Sequence, residues 1–176
     1  RSSEALERAG KVNSVILDKT GTITKGQPAV TDIISTDAFS ADELLRLAAS
    51  VEKGSEHPLG EAIWAEATNR SLSLVAPSGF KAEAGLGVEG VVDHHSVAVG
   101  NLRMVTSRGI ALNSLASSVD RLQAEAKTAM LVTVDGEISG VIAVADTVKE
   151  SSMDAISDLH GMGMTVAMIT GDNRKT

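Results

Sequence analysis

A chain of 176 residues with 43% hydrophobic and 22% charged content is long enough for one or two domains with a real core. A net charge of −7 and the lack of any cysteine exclude a generally basic nucleic-acid surface, a disulfide framework and a thiolate metal site. No apolar stretch approaches the ~18 residues of a membrane helix; the expectation is a soluble, cytoplasmic chain whose core, at 2% aromatic content, is built from Val, Ile, Leu, Ala and Met.

Residues 3–9 have helix-forming composition and stop at Gly10. Val15-Ile16-Leu17 then run without interruption into Asp18, and Thr20-Gly21-Thr22 follow. This is the pattern of a buried parallel strand closed by a turn. It puts Asp18 at the carboxyl end of its strand, where open α/β sheets hold ligands. The turn offers the backbone N–H groups of Lys19, Thr20 and Gly21 beside the carboxylate, donors that suit a phosphoryl group. Asp18 is then either a nucleophile that forms an aspartyl-phosphate or a turn-capping residue. Gly26 and Pro28 punctuate a further turn, and 29–34 alternates as a strand.

Ser40 and Glu43 form a capping box ahead of a helix over 40–52 with Leu44, Leu45, Leu47, Ala48 and Val51 as its apolar stripe. Pro58 opens a second helix that runs to 69. Glu56 and His57 precede it, either meeting a polar ligand at the helix N-terminus or serving as a cap and a solvated loop residue. Gly85-Leu86-Gly87 leads into strands at 91–93 and 96–99, with His94-His95 as a hairpin turn and not a metal site. No helix opens after the glycines, so they are not a Rossmann fingerprint; they admit close backbone approach or mark a tight turn. Gly100-Asn101 closes the second strand, where Asn is otherwise an ordinary cap.

Helical character returns at 101–107 and 113–126. Strands at 128–134 and 137–145 flank an Asp135-Gly136 hairpin turn. A helix over 147–160, with Val148, Met153, Ile156 and Leu159 on one face, precedes a buried strand at 164–169 and Thr170-Gly171-Asp172-Asn173. The strand–helix–strand unit at 138–169 predicts parallel pairing through a right-handed crossover, with Thr170 and Gly171 placed to hydrogen-bond a phosphoryl group on Asp18. Met153, Met164 and Met168 read as core.

Asp18-Lys19-Thr20-Gly21-Thr22 resembles the phosphorylation motif of P-type ATPases. Ser55-Glu56-His57-Pro58-Leu59 resembles the nucleotide-domain signature of the heavy-metal-transporting branch. Gly85-x-Gly87, Gly100-Asn101 and Thr170-Gly171-Asp172-Asn173 follow in that family's order. The resemblance implies an α/β chain in which an incomplete haloacid-dehalogenase-like parallel core, 1–28 and 138–176, holds an inserted α+β antiparallel-sheet nucleotide-binding domain, 29–137. It implies that Asp18 takes the γ-phosphoryl group of ATP, with Lys19, Thr20, Thr170, Gly171 and Asp172 completing the catalytic set. Mg²⁺ would be held by the Asp18 side chain and the Thr20 backbone carbonyl. ATP would be bound by Glu56, His57, Gly85, Gly87, Val88, Gly100 and Asn101, with His57 at the adenine end and Glu56 against the base.

Related phosphatases carry a second Asp two residues after the nucleophile. Here Thr20 stands in that place and cannot serve as a comparable acid or base, so a phosphoenzyme should persist, as a pump needs. The family's later Gly-Asp-Gly-x-Asn-Asp segment is not in the chain, which also starts at Arg1 and looks like an excised piece. It is therefore expected to bind nucleotide with little turnover. The implied whole is a cation exporter in the plasma (inner) membrane, with membrane helices and an actuator domain as partners of this cytoplasmic part. Copper(I) is favoured by the form of the Ser-Glu-His-Pro-Leu and Val-Gly-Asn segments, although no residue here selects an ion. The alternatives are a freestanding nucleotide-binding regulatory module and a soluble haloacid-dehalogenase-type phosphatase.

Overall fold

The computed structural model describes residues 10–55 and 57–169. The helix expected at 3–9 lies outside them. The chain divides into two compact units. One holds 10–27 with 146–169, the other 28–145.

The larger unit is built on a sheet in the order β2-β7-β6-β5-β4-β3. Its strands are β2 (Thr24–Ser35), β3 (Ser78–Glu83), β4 (Gly87–Val92), β5 (His95–Gly100), β6 (Thr128–Val134) and β7 (Glu137–Val148). The ladders from β3 to β7 are antiparallel. Helices α1 (Ala41–Glu52), α2 (Pro58–Asn69), α3 (Leu102–Ser107) and α4 (Ala116–Ala124) complete the unit. The core forms two apolar clusters. Leu44, Leu47, Val51 and Ile63 of α1 and α2 share one cluster with Val97, Val99, Val132 and Ile142. Met104, Val119 and Leu122 of α3 and α4 share the other with Leu131, Val141 and Ala143. With helices on both faces, β6 and β7 bury both sets of side chains. This is why their sequences run apolar without the alternation of a half-solvated antiparallel strand. A register shift at Val132/Thr133 opposes Val132 to Gly140 and Thr133 to Ile138. Ser139 is the extra residue of that bulge, and its carbonyl accepts the Thr36 N–H at 2.9 Å.

Local signals explain the boundaries. Ser40 Oγ accepts the Glu43 N–H at 3.2 Å, the capping bond expected of that box. Asp93 and His94 both have positive φ, so the β4–β5 turn is Asp93-His94, and His95 belongs to β5. β3, and β4 from Gly87 to Gly90, were not foreseen as strands.

The smaller unit pairs β1 (Ser14–Asp18) in parallel with β8 (Thr165–Ile169), in a register that sets Asp18 opposite Ile169, and adds α5 (Glu150–Gly161). The expected parallel pairing of the strands flanking α5 is corrected here: β7 pairs with β6 in the other sheet, and β8 pairs with β1. β7 continues unbroken to Val148, so the larger unit runs to Ala145 where the sequence suggested a boundary at 137. β2 likewise runs through the turn expected at Gly26–Pro28. β1 is not the buried strand expected: Ile16 is 71% exposed, and Met153 and Met168, read as core, are 70% and 54% exposed. A pair of strands has too few neighbours to bury an apolar run.

Candidate nucleotide cleft and phosphorylation loop

The larger unit carries a cleft of about 380 Å³ lined by Glu52, Ser55, His57, Gly60, Gly85, Gly87, Val88 and Asn101, among others. Its walls follow from local chemistry. Pro58 occupies the first turn of α2, and the residue before it, His57, caps the helix: Nδ1 accepts the Leu59 N–H at 3.2 Å. That bond makes Nδ1 the unprotonated nitrogen in the neutral ring and leaves Nε2–H as the donor. The His57 backbone N–H is satisfied by Ser55 Oγ at 3.3 Å.

Glu52 lines the cleft and was not singled out in the sequence. It is 4% exposed, and burial pushes its carboxyl above the ordinary value, with the Ser55 hydrogen bond opposing only in part. A Cβ at Gly60 would lie 2.3 Å from Glu52 Oε2, so Gly60 is what lets the carboxyl occupy the cleft floor. The signal was present in the helix pattern: Glu52 lies seven residues after Leu45 and four after Ala48, on the apolar stripe itself.

The opposite wall is backbone. Gly87 and Gly100 are paired in the β4–β5 ladder. A Cβ on Gly87 would meet the Val99 carbonyl at 2.2 Å, and one on Gly100 would meet the Leu86 carbonyl at 2.4 Å. Gly85 turns with φ +70°, a region that glycine enters freely. Asn101 ties this wall to α3. Its Oδ1 accepts the Met104 N–H at 3.2 Å as the helix cap, and its Nδ2 donates to the Gly85 carbonyl at 2.8 Å. The cleft thus gathers His57, Gly85, Gly87, Val88 and Asn101. Glu56 lies outside the described residues, and Gly100 stands behind the wall as the partner of Gly87.

In the smaller unit, Asp18 ends β1 with an exposed side chain that makes no capping bond to the turn after it. The carboxylate is therefore not spent on the turn. Thr20 (φ −75°, ψ 121°) and Gly21 (φ 75°, ψ −12°) are the central residues of a type II turn, which explains the glycine. Of the amides expected to face a phosphoryl group, that of Gly21 is committed elsewhere: it donates to Thr24 Oγ1 at 3.3 Å. Thr170, Gly171 and Asp172 lie outside the described residues. No group of three or more His, Cys, Asp or Glu side chains suited to a metal occurs among the described residues. No helix among them is long and apolar enough to cross a membrane.

Comparison with known proteins shows the family. Residues 12–176 match the haloacid dehalogenase-like hydrolase family. The chain is 44% identical over 176 residues to a copper-transporting P-type ATPase of Rhizobium leguminosarum bv. viciae and 41% identical to a copper-exporting P-type ATPase of Bacillus subtilis (strain 168). It covers 21% and 22% of those proteins, about a fifth of the length of the curated relatives it matches. Among solved structures, a zinc-transporting PIB-type ATPase superposes with a TM-score of 0.90 at 35% identity, over 97% of this chain and 28% of that one. The N-domain of HMA6, a copper-transporting P-type ATPase, is 32% identical with a TM-score of 0.56, over 68% of this chain and 99% of that one. The chain belongs to the haloacid dehalogenase-like hydrolases and, within them, to the heavy-metal P-type ATPases.

Proposed function

We propose that the 28–145 unit binds ATP in its cleft and that Asp18 accepts the γ-phosphoryl group, as part of a membrane pump that exports a heavy-metal ion. The observation that carries this reading is the cleft itself: a donor at His57 Nε2, a buried acid at Glu52 and a wall without side chains at Gly85 and Gly87. An apolar slot with a few convergent polar groups suits a planar base. Glu52 would accept the exocyclic amino group of adenine and, when neutral, donate to the adjacent ring nitrogen. His57 would stack on or hydrogen-bond the base. Asn101, with both amide ends already engaged, would act by shaping the Gly85 turn.

Phosphoryl transfer needs little covalent chemistry from the protein. A carboxylate oxygen of Asp18 would bond to the γ-phosphorus as the bond to the β,γ-bridging oxygen breaks, and its electron pair would leave on ADP. No proton has to move. The Asp18 carboxylate and the Thr20 carbonyl are hard oxygen donors of the kind Mg²⁺ takes beside substrate phosphates; the bound ion would neutralise charge on the transferred group. Thr20, unable to act as a general base, would leave the aspartyl-phosphate long-lived.

Copper(I) is the cargo we propose, from the copper-exporting relatives. The ion would be selected elsewhere in the pump, since copper(I) prefers soft thiolate or thioether ligands and this chain has no cysteine. The chain would lie on the cytoplasmic side, with membrane helices and an actuator domain as its partners.

Calorimetric titration of ATP into the 176-residue chain tests the nucleotide site. His57→Gln should weaken binding by about 1–2 kcal/mol, the scale of one lost hydrogen bond. Unchanged affinity would remove His57 from the site, and no binding by the parent chain would overturn the reading. ATPase activity of the longer pump that is stimulated by zinc alone would replace copper as the cargo.

A further inference from the structure

The turn that follows Asp18 is gripped from behind by the segment that opens α5. The Gly21 carbonyl accepts from Lys149 Nζ at 2.5 Å. The Ile23 carbonyl accepts from the Lys149 N–H at 2.9 Å and from Ser152 Oγ at 2.8 Å. At the base of the turn, Thr24 is 3% exposed, and its hydroxyl donates to Asp146 Oδ2 at 2.5 Å. The other oxygen of that carboxylate accepts the Gly26 N–H at 2.9 Å. The Thr24 N–H holds the Lys19 carbonyl. Every one of these groups lies in the same compact unit as Asp18.

The direction of this grip matters because a peptide unit is planar and trans, so its C=O and N–H point opposite ways. With the Lys19 carbonyl drawn back onto Thr24, the amide of Thr20 is turned the other way. Gly21 N–H is meanwhile tied to Thr24 Oγ1. The turn is thereby set with the Thr20 amide facing outward on a braced base. Donors fixed in advance stabilise developing charge without reorganising during the reaction. Lys149 is the one side chain in the brace that brings a positive charge to the turn, and a charge-assisted bond is among the stronger kinds.

We propose that Lys149 is a positioning residue for phosphoryl transfer to Asp18: by holding the Gly21 carbonyl at the crest of the turn it keeps the Thr20 amide facing the transferred group. The inference rests on the reading of Asp18 as the phosphoryl acceptor. Thr24 and Asp146 set the base of the same turn, and Lys149 sets its crest. A long aliphatic residue in its place would keep the packing of the stem while releasing the carbonyl.

The test is phosphoenzyme formation from radiolabelled ATP in the longer protein that carries this chain, with Lys149→Met and Lys149→Arg beside the parent. Lys149→Met should slow phosphorylation at saturating ATP by about 10- to 100-fold, less than the 10²–10³ lost with a direct oxyanion donor. The ATP concentration at half-saturation should stay unchanged, because the cleft lies in the other unit. Lys149→Arg, which keeps a charged donor, should recover most of the rate. A purely structural role predicts instead a lowered melting temperature with no change in the saturated rate; that result, or a Lys149→Arg as slow as Lys149→Met with its fold intact by circular dichroism, would overturn the proposal. A different result marks failure of the underlying reading: a parent protein that forms no hydroxylamine-labile phosphoenzyme, which would remove Asp18 as the acceptor and this inference with it.

Discussion

The β1–β8 pair and the β6–β7 pair are written in almost the same alphabet, yet the molecule treats them oppositely. Val15-Ile16-Leu17 and Val166-Ala167-Met168-Ile169 leave Ile16 71%, Met168 54% and Ile169 60% exposed. Leu131, Val132, Val141 and Ile142 are all at 0%. Hydrophobicity is equal; cover is not. β6 and β7 lie inside a sheet with helical side chains packed on both faces. β1 and β8 have each other and α5, whose own buried residue among those described is Ser152. Burial is a property of layers, and an apolar run earns it only when two layers are present.

The widest expected gap in this contrast is in stability. Leu131→Ala should cost about 2–5 kcal/mol, the range for truncating a buried Leu that leaves a cavity. Ile16→Ala should fall within about 0.5 kcal/mol, as surface changes do. Chemical denaturation of each variant measures both, and a large loss at Ile16 would mean that its face is covered in solution. Native-state hydrogen exchange sharpens the same comparison, because the β1–β8 amides should open at lower free energy than those of β6 and β7.

A smaller effect contrasts two acids within the larger unit. Glu52 has its carboxyl raised by burial. A raised folded-state value favours the folded chain below the unfolded value, and that contribution is lost as pH rises through the folded one. Melting temperature should therefore decline over that window above the ordinary 4.5. Glu52→Gln, fixed in the neutral shape, should abolish the decline and melt higher than the parent at pH 8. An unaltered pH profile in the Gln variant would show that Glu52 does not titrate there.

The smallest effect belongs to Asp135 on the β6–β7 hairpin. Its carboxyl is held below the ordinary 3.8 by hydrogen bonds from His95 and from the Ser96 N–H, with His95 Nδ1 2.7 Å away. Here the sign reverses. The contribution is present above the unfolded value and is lost as pH falls through the folded one. Both side chains are about half exposed, so Asp135→Asn should trim stability slightly at neutral pH and leave it unchanged at the acid end. A difference that persists in acid would point to the turn geometry instead, since Asp135 sits at φ 52°.

What the sequence disclosed divides along the same line. Signals that act over a few residues came through: the Ser40 cap, Pro58 at the start of α2, the Asp135-Gly136 turn, and the turn after Asp18 at Thr20-Gly21. His57, Gly85, Gly87 and Asn101, up to 44 positions apart, were grouped only by likeness, and folding brings them to the lining of one cleft. Three features did not come through, each for a physical reason. β3 was passed over because Ser78-Gly79-Phe80 carries a positive-φ glycine and an irregular register against β4. Glu52 was passed over because a charged residue at a helix end reads as solvated, although its place in the stripe said otherwise. Met153 and Met168 were assigned to a core because an apolar face at helical or strand spacing says what a residue prefers and not whether anything arrives to cover it.

Asn101 gives the Gly-Asn pair a meaning beyond a signature. Its amide is read at both ends by groups of opposite polarity, the Met104 N–H and the Gly85 carbonyl. Aspartate would satisfy the first and repel the second, and serine would be too short to span them. Gly100, beside it, is excluded from every larger residue by the Leu86 carbonyl and the Met104 sulfur. The two positions are therefore locked as a dipeptide by unrelated constraints, one of polarity and one of space. Each position is fixed on its own account, and a substitution at one cannot be compensated by a change at the other.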